Sequence, residues 1–383
     1  MESTRTQRFL HMAGHLAKNN VVLIVAAVAA AVTCFFVPFD EEYLGYFDWS
    51  TLACLFSTLA VVAAFKNIRF FVWLADLIVR RFKNMRNIAL ALVFVTFFGS
   101  MVMANDMALV TFLPLGYFVL DSCGDRKHLA FTFIMQNIAA NLGGMLTPFG
   151  NPQNLYMYSY FNIGAGEFFR IMALPFAAAF VLIAATCFFV KKEKVVVTTA
   201  RKKTPPVWRM VVYGILFVFS VLIVFRIFPY YWGLLAVFVA VLALDYRALF
   251  KVDYGLLLTF CAFFVFSGNM ARIDAVNSFF AYLMEKDPLI FGVICCQFIS
   301  NVPSAVLLSQ FTSDYSALLV AVNLGGLGTP IASLASLITL NTYRKLMPGE
   351  TKRYLLKFLF VNFVFLAVLI GFGYLNELML TAG

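Results

Sequence analysis

Apolar runs recur along the chain near 20–37, 48–65, 88–103, 106–120, 129–161, 168–190, 209–228, 231–245, 254–270, 288–300, 302–312, 316–343 and 354–380, with short polar stretches between them. Most have the length of a membrane-crossing helix, roughly 20 residues. Four do not fit a single straight helix. The stretches 88–120 and 288–312 are each interrupted by a polar tip, leaving arms too short for a comfortable span. The runs 129–161 and 316–343 are too long for one helix and are broken by Gly and Pro. Short arms with a polar tip predict re-entrant hairpins, and long broken runs predict discontinuous helices; both survive at membrane depth only when buried in protein or lining a cavity.

The breaks repeat. Asn141-Leu142-Gly143-Gly144 is followed by Thr147-Pro148, and Asn323-Leu324-Gly325-Gly326 by Thr329-Pro330. Upstream lie the tips Ala104-Asn105-Asp106 and Ser300-Asn301-Val302-Pro303-Ser304. Further upstream, Asp48-Trp49 and Asp253-Tyr254 open runs that end near Asn67/Arg69 and Asn269/Arg272. Four elements in the same order predict two structural repeats.

Charge sets their relative direction. With the N-terminus in the cytoplasm and both hairpins entering and leaving on one side, all but four of the 29 Lys and Arg fall inside. The exceptions are Arg170, Arg226, Arg272 and Lys286, on the side of the acidic Asp40-Glu41-Glu42 turn. This positive-inside bias predicts nine crossings and two hairpins, with the N-terminus in and the C-terminus out. The first repeat then starts outside and the second inside, so they are inverted. The expected fold is an all-α polytopic membrane protein of two inverted repeats with re-entrant hairpins and discontinuous helices. Its parts are an N-terminal segment and first transmembrane helix (1–47), repeat 1 (48–190, hairpin 88–122), a cytoplasmic linker (191–208) around Thr204-Pro205-Pro206, connecting helices (209–252), and repeat 2 (253–383, hairpin 287–313). Phe70–Lys83 alternates apolar and charged positions as an interfacial amphipathic helix does, and Ala275–Lys286 is a weaker counterpart.

Composition agrees. Of 383 residues 62% are hydrophobic and 13% charged, with mean hydropathy +0.88, more apolar surface than a soluble domain hides. The net charge of +10 does not imply nucleic acid, because the basic residues sit in short loops between apolar runs. The seven Cys lie mostly in apolar segments without metal-type spacing and read as small packing residues. The first apolar run, starting near Asn20, lacks a signal-peptidase-like site. His11, His15 and His128 lie in the basic N-terminus and a loop. They leave no base for an intramembrane protease, and no H-E-x-x-H, P-loop or G-x-G-x-x-G occurs. The chain is expected not to be an enzyme and not to drive transport with ATP. No cofactor is expected beyond Na+ or H+ as a coupling ion.

Inverted repeats with paired helix breaks point to a central site used by alternating access. Thr147-Pro148 and Thr329-Pro330 place an N-cap residue before Pro at a helix start, and Asn151-Pro152 offers another. Unwinding at Gly143, Gly144, Gly325, Gly326 and Gly328 frees carbonyls for a cation, while new helix N-termini offer N–H groups to an anion. Asp106 is the one acid at a hairpin tip. It can ligate Na+, carry a proton, or cap the second arm. The candidate substrate site is Asn105, Asn301, Thr147, Asn151, Asn154, Ser304, Thr329 and Ser333. The candidate cation site, with sodium as the possible metal, is Asp106, Asn105, Asn141, Gly144, Asn301, Asn323 and Gly326.

Asn105-Asp106 with Thr111-Phe-Leu-Pro114, then Thr147-Pro-Phe-Gly-Asn-Pro-Gln-Asn154, then Ser300-Asn-Val-Pro-Ser304, resembles the ion transporter superfamily over roughly residues 20–380. That group includes divalent anion:sodium symporters, citrate-type permeases, arsenite efflux permeases and a class of Na+/H+ antiporters. The resemblance implies a substrate between hairpin tips and broken helices, two cation sites, and a homodimer in membrane lipid working by an elevator mechanism. It implies Asn105 and Asn301 as tip residues of the site. Carboxylate symporters of the group carry Ser-Asn-Thr or a close variant at both tips; here the tips read Ala-Asn-Asp and Ser-Asn-Val, and the Asn-Asp pair resembles the arsenite and antiporter side. The expected activity is secondary transport of a small anion, a carboxylate or inorganic oxyanion, coupled to Na+ or H+. A Na+/H+ antiporter or arsenite extruder using Asp106 is the alternative, and a channel or membrane enzyme the remote one.

Overall fold

The computed structural model describes residues 21–124, 126–194 and 203–382. His11, His15 and part of the 191–208 linker lie outside the described residues. The described chain is helical, with no strand beyond one isolated bridge between Asn84 and Lys194. Seven described helices are long and apolar enough to cross a membrane, which makes this an all-α polytopic membrane protein. The nine expected crossings include two segments shorter than those seven. These are α1 (Val21–Thr33) and the run 316–343, which divides into α16 (Tyr315–Leu324) and α17 (Leu334–Leu346) at its glycines.

The first half follows α1 and a four-residue α2 (Glu42–Gly45). It runs through α3 (Trp49–Asn67), α4 (Phe70–Val79), α5 (Met85–Gly99), α6 (Asn105–Ser122), α7 (Leu129–Gly143), α8 (Pro152–Tyr160) and α9 (Ala165–Cys187). Next come α10 (Val207–Val224) and α11 (Tyr230–Leu249). The second half runs α12 (Tyr254–Ala271), α13 (Asp274–Lys286), α14 (Pro288–Ile299), α15 (Asn301–Leu308), α16, α17 and α18 (Thr351–Ala382).

Local chemistry sets many of these boundaries. Asp48 Oδ1 accepts from Thr51 N at 3.0 Å and Asp253 Oδ1 from Leu256 N at 3.0 Å, so each aspartate caps the helix it was expected to open. Asp287 and Asp314 cap α14 and α16 in the same way.

The packing is reciprocal between halves. Helix α3 packs on α11, and α12 on α1; α5 packs on α7, and α14 on α16; α6 packs on α17, and α15 on α8. The ends of the first pairs are tied by equivalent asparagines. Asn67 Nδ2 donates to Asp245 Oδ2 at 3.0 Å, where α11 kinks, and Asn269 Nδ2 donates to Thr33 Oγ1 at 3.1 Å.

Just beyond α12, Arg272 forks onto Asp40, at 2.9 Å (Oδ1) and 2.5 Å (Oδ2), and onto the Tyr46 hydroxyl at 3.0 Å. The guanidinium holds the Asp40 carboxyl below its usual range. Protonating Asp40 weakens the pair, so its contribution is present above the ordinary carboxylate range and is lost as pH falls through the lowered value. Arg272→Ala is expected to lower the melting temperature modestly at neutral pH, and differential scanning fluorimetry should show the gap closing at acid pH.

Candidate functional site

The two hairpins, α5/α6 and α14/α15, bring their tips to the two helix breaks. The tip asparagines make the same local bond. Asn105 Oδ1 accepts from Asp106 N and Asn301 Oδ1 from Val302 N, both at 3.0 Å. This leaves each amide nitrogen free to reach outward. Asn105 Nδ2 donates to Asn141 Oδ1 at 3.0 Å, at the end of α7. Asn301 Nδ2 and Asn141 Oδ1 lie 3.0 and 3.3 Å from where a Cβ on Gly326 would stand. The first tip, the second tip and both breaks therefore converge on Asn141 and Gly326. All three asparagines are buried.

The breaks interlock. Asn323 Nδ2, at the end of α16, donates to Asn154 Oδ1 at 2.6 Å, and Asn323 Oδ1 accepts from Asn151 Nδ2 at 3.4 Å and from Gln153 Nε2 at 3.5 Å. Asn151 Nδ2 also donates to Asn141 O at 3.3 Å. The structure thus brings together Asn105, Asn141, Asn151, Asn154, Asn301 and Asn323, with Gly144 and Gly326 as the close approaches between them.

Three expectations change. The Thr-Pro steps do not start helices: α8 begins at Pro152 after Asn151, and α17 at Leu334 after Ser333, whose Oγ accepts from Ser336 N at 3.2 Å. The threonine hydroxyls are engaged elsewhere. Thr147 Oγ1 donates to Met101 O at 3.4 Å and Thr329 Oγ1 to Gln297 O at 3.1 Å, so each threonine pins its break to the neighbouring hairpin. Secondly, the freed carbonyls are not bare. Asn154 Nδ2 lies 3.2–3.3 Å from the carbonyls of Gly144, Met145 and Thr147, and Gln297 Nε2 lies 3.1 and 3.0 Å from those of Gly325 and Leu327. Thirdly, Asp106 caps nothing. The N-cap position of α6 is Ala104, without a side-chain bond, and Asp106 sits buried in the first turn, where the helix dipole favours its charge. No ion pair to Asp106 forms among the described residues; Lys66 of α3 reaches the same turn, its Nζ 3.6 Å from Met107 Sδ.

Ser304 turns back to Ser300 O at 2.7 Å, and Ser333 pairs with Ser336 Oγ at 2.9 Å. Ser300 itself holds φ 77°, a region costly for a residue with a Cβ. Asn301 N–H bonded to Ala332 O at 2.9 Å holds this strained tip against the second break.

Three polar residues lie outside the candidate site expected from the sequence. Gln153 and Gln297 brace the breaks as above. Asn137, one turn before Asn141 on the same face, meets Ser336 Oγ at 3.3 Å and Thr339 Oγ1 at 3.3 Å. The i, i+4 spacing of Asn137 and Asn141 was the available signal.

Four buried amide oxygens have no hydrogen-bond partner among the described residues; two of them, Asn151 Oδ1 and Gln153 Oε1, lie at the first break, and the others are Gln136 Oε1 and Asn269 Oδ1. Asn151 Oδ1 and Ser100 O both crowd the place of a Cβ on Gly144. Beside the first tip, a cavity of about 20 Å³ separates Met103 and Ala104 from Thr58, Leu59 and Val62 of α3 and from Phe149 and Pro152. It has room for about one water.

The family model for citrate transporters matches residues 12–314. An uncharacterized transporter of Methanocaldococcus jannaschii, MJ0456, is 32% identical over 294 residues, covering 76% of this chain and 80% of its own length. The inner membrane protein YbiR of Escherichia coli is 30% identical over 316 residues, 80% of this chain and 83% of that protein. The silicon efflux transporter LSI3 of Oryza sativa is 33% identical over a shorter stretch of 117 residues, 30% of this chain and 23% of that protein. The match spans both hairpin tips and the first break, and the chain belongs to the citrate transporter family, as an integral membrane transporter.

Proposed function

We propose that the protein is a secondary active transporter that moves a small anion, a carboxylate or an inorganic oxyanion, across the cytoplasmic membrane together with Na+ or H+. The observation that carries this reading is the placing of two unpartnered buried amide oxygens, Asn151 Oδ1 and Gln153 Oε1, together at a glycine-lined helix break. A buried acceptor without a partner costs about 1–3 kcal/mol, and a coupling cation between Asn151 Oδ1 and the Ser100 carbonyl would remove that cost. The anion would lie between the two hairpin tips, against Asn105, Asn301 and the first turns of α6 and α15. In this reading the hairpins are re-entrant, the halves are inverted, and the unit containing them slides against α3 and α12 within a homodimer. The reciprocal packing and the apolar seam at Thr58 and Ala104 support the sliding.

A second reading is efflux or antiport driven through Asp106. Its buried position without an ion pair among the described residues and the likeness to a silicon efflux transporter favour it.

Thermal unfolding of the detergent-purified protein with citrate, succinate, sulfate, phosphate or arsenite, each in sodium or choline, separates the two. One anion that stabilises only in sodium is the expected result; at about 100 times its Kd it adds ~2.7 kcal/mol. A sodium or pH response with no anion effect would move the assignment to the second reading. Motion at the seam has its own test. A disulfide between Thr58→Cys and Ala104→Cys should stop uptake, and a reductant should restore it.

A further inference from the structure

Helix α4 stands off from the first hairpin and leaves a groove of about 680 Å³ between them, within the ~300–1,000 Å³ of sites that enclose a small organic molecule. Phe70, Leu74 and Ile78 form one wall and Leu90, Phe94 and Phe98 the other. The lining is almost wholly apolar and Phe98 is half exposed, which suits an acyl chain better than an aqueous path.

The chain beside one end of this groove is basic, although no basic side chain lines the groove itself. Phe82 lines it, and the residues on either side, Arg81 and Lys83, are exposed and form no ion pair among the described residues. Their neighbours are committed. Arg80 bridges Asp76 at 2.8 Å, and Arg86 Nε donates to Val190 O at 2.7 Å. From Lys66 to Arg86 there are six basic residues and one acid. The corresponding α13 differs: Asp274, Glu285 and Asp287 outnumber Lys286 there. An apolar slot with exposed cations beside one end, in the half where that helix is basic rather than acidic, matches a molecule with an acyl chain and an anionic head.

We propose that the groove between α4 and the first hairpin is a binding site for a single anionic phospholipid, with an acyl chain along Phe94 and Leu74 and the phosphate held by Arg81 and Lys83. The charge complementarity selects this occupant over a zwitterionic lipid, whose own cation would be repelled at the basic end. Basic side chains near an anionic headgroup strengthen association about fivefold each.

Native mass spectrometry of the intact protein, delipidated and then titrated with phosphatidylglycerol or phosphatidylcholine, tests this. One phosphatidylglycerol should be retained per chain, several-fold more tightly than phosphatidylcholine. Arg81→Gln with Lys83→Gln should abolish that preference. Ala91→Phe, which fills the groove wall, should displace the bound lipid. Equal retention of the two lipids by the unmodified protein, or an undiminished preference in the Arg81→Gln, Lys83→Gln variant, would overturn the proposal. Should Ala91→Phe fail to fold, the charge variant decides alone, because both its positions are on the surface.

Discussion

Gly143→Ala is expected to destabilise the protein by about 3 kcal/mol, the upper end of what overpacking a filled core costs, and to abolish transport. The new Cβ would stand 2.8 Å from the Phe97 carbonyl carbon and 2.5 Å from Ser100 Oγ. The first of these is backbone of α5 and cannot rotate away. The hairpin would have to lift off α7, taking Asn105 away from Asn141. Gly144→Ala meets Asn151 Cγ at 2.8 Å and Ser100 O at 2.9 Å, and so should disturb the proposed cation position more than the hairpin. Gly214→Ala and Gly371→Ala are the controls. Both lie in helices with nothing within 4 Å of the added atom, and each should be neutral or stabilising by about 0.5–1 kcal/mol. Scanning fluorimetry and size-exclusion profiles of the four variants check the order.

Asp106→Asn is expected to lower coupled flux by about 100-fold while leaving the fold intact. The carboxylate is buried and has no ion pair to lose among the described residues, so the neutral amide of the same shape removes the cost of holding a charge there against the smaller loss of its interaction with the helix dipole. Melting temperature should therefore stay level or rise. Anion-induced stabilisation that survives while coupled flux is lost would mark Asp106 as the coupling group. Loss of anion binding as well would place it at a cation site on which the anion depends. Flux equal to the unmodified protein would remove Asp106 from both readings.

Much of this architecture was legible because its signals are local. Asp48 and Asp253 cap helices from within three residues. The doubled Asn-Leu-Gly-Gly string sits where α7 and α16 end, and the tips fall at Asn105 and Asn301, where α6 and α15 begin. What could not be read depends on partners far along the chain. Thr329 loses its capping role because Gln297 Oε1 and the Gln297 carbonyl take its N–H and its hydroxyl, at 2.9 and 3.1 Å. No rule about Thr-Pro steps contains that information. Asn154 reads as a site residue in its string, yet its nitrogen faces three carbonyls of the break and its oxygen faces Asn323. The charge pattern that orients the chain also left the free Arg81 and Lys83 unremarked, because their meaning comes from a groove formed with another helix.

The most direct test of the central claim is uptake by purified protein in sealed proteoliposomes. The labelled anion would be the one that stabilises the protein in the thermal screen. It would be supplied with an inward sodium or proton gradient, or with neither. The account predicts accumulation above the external concentration with one of the two gradients. That accumulation should collapse when an ionophore dissipates the gradient, and it should be absent in Gly143→Ala. Equilibration at the same rate with and without either gradient, never passing the external concentration, would contradict secondary active transport and leave a passive pathway.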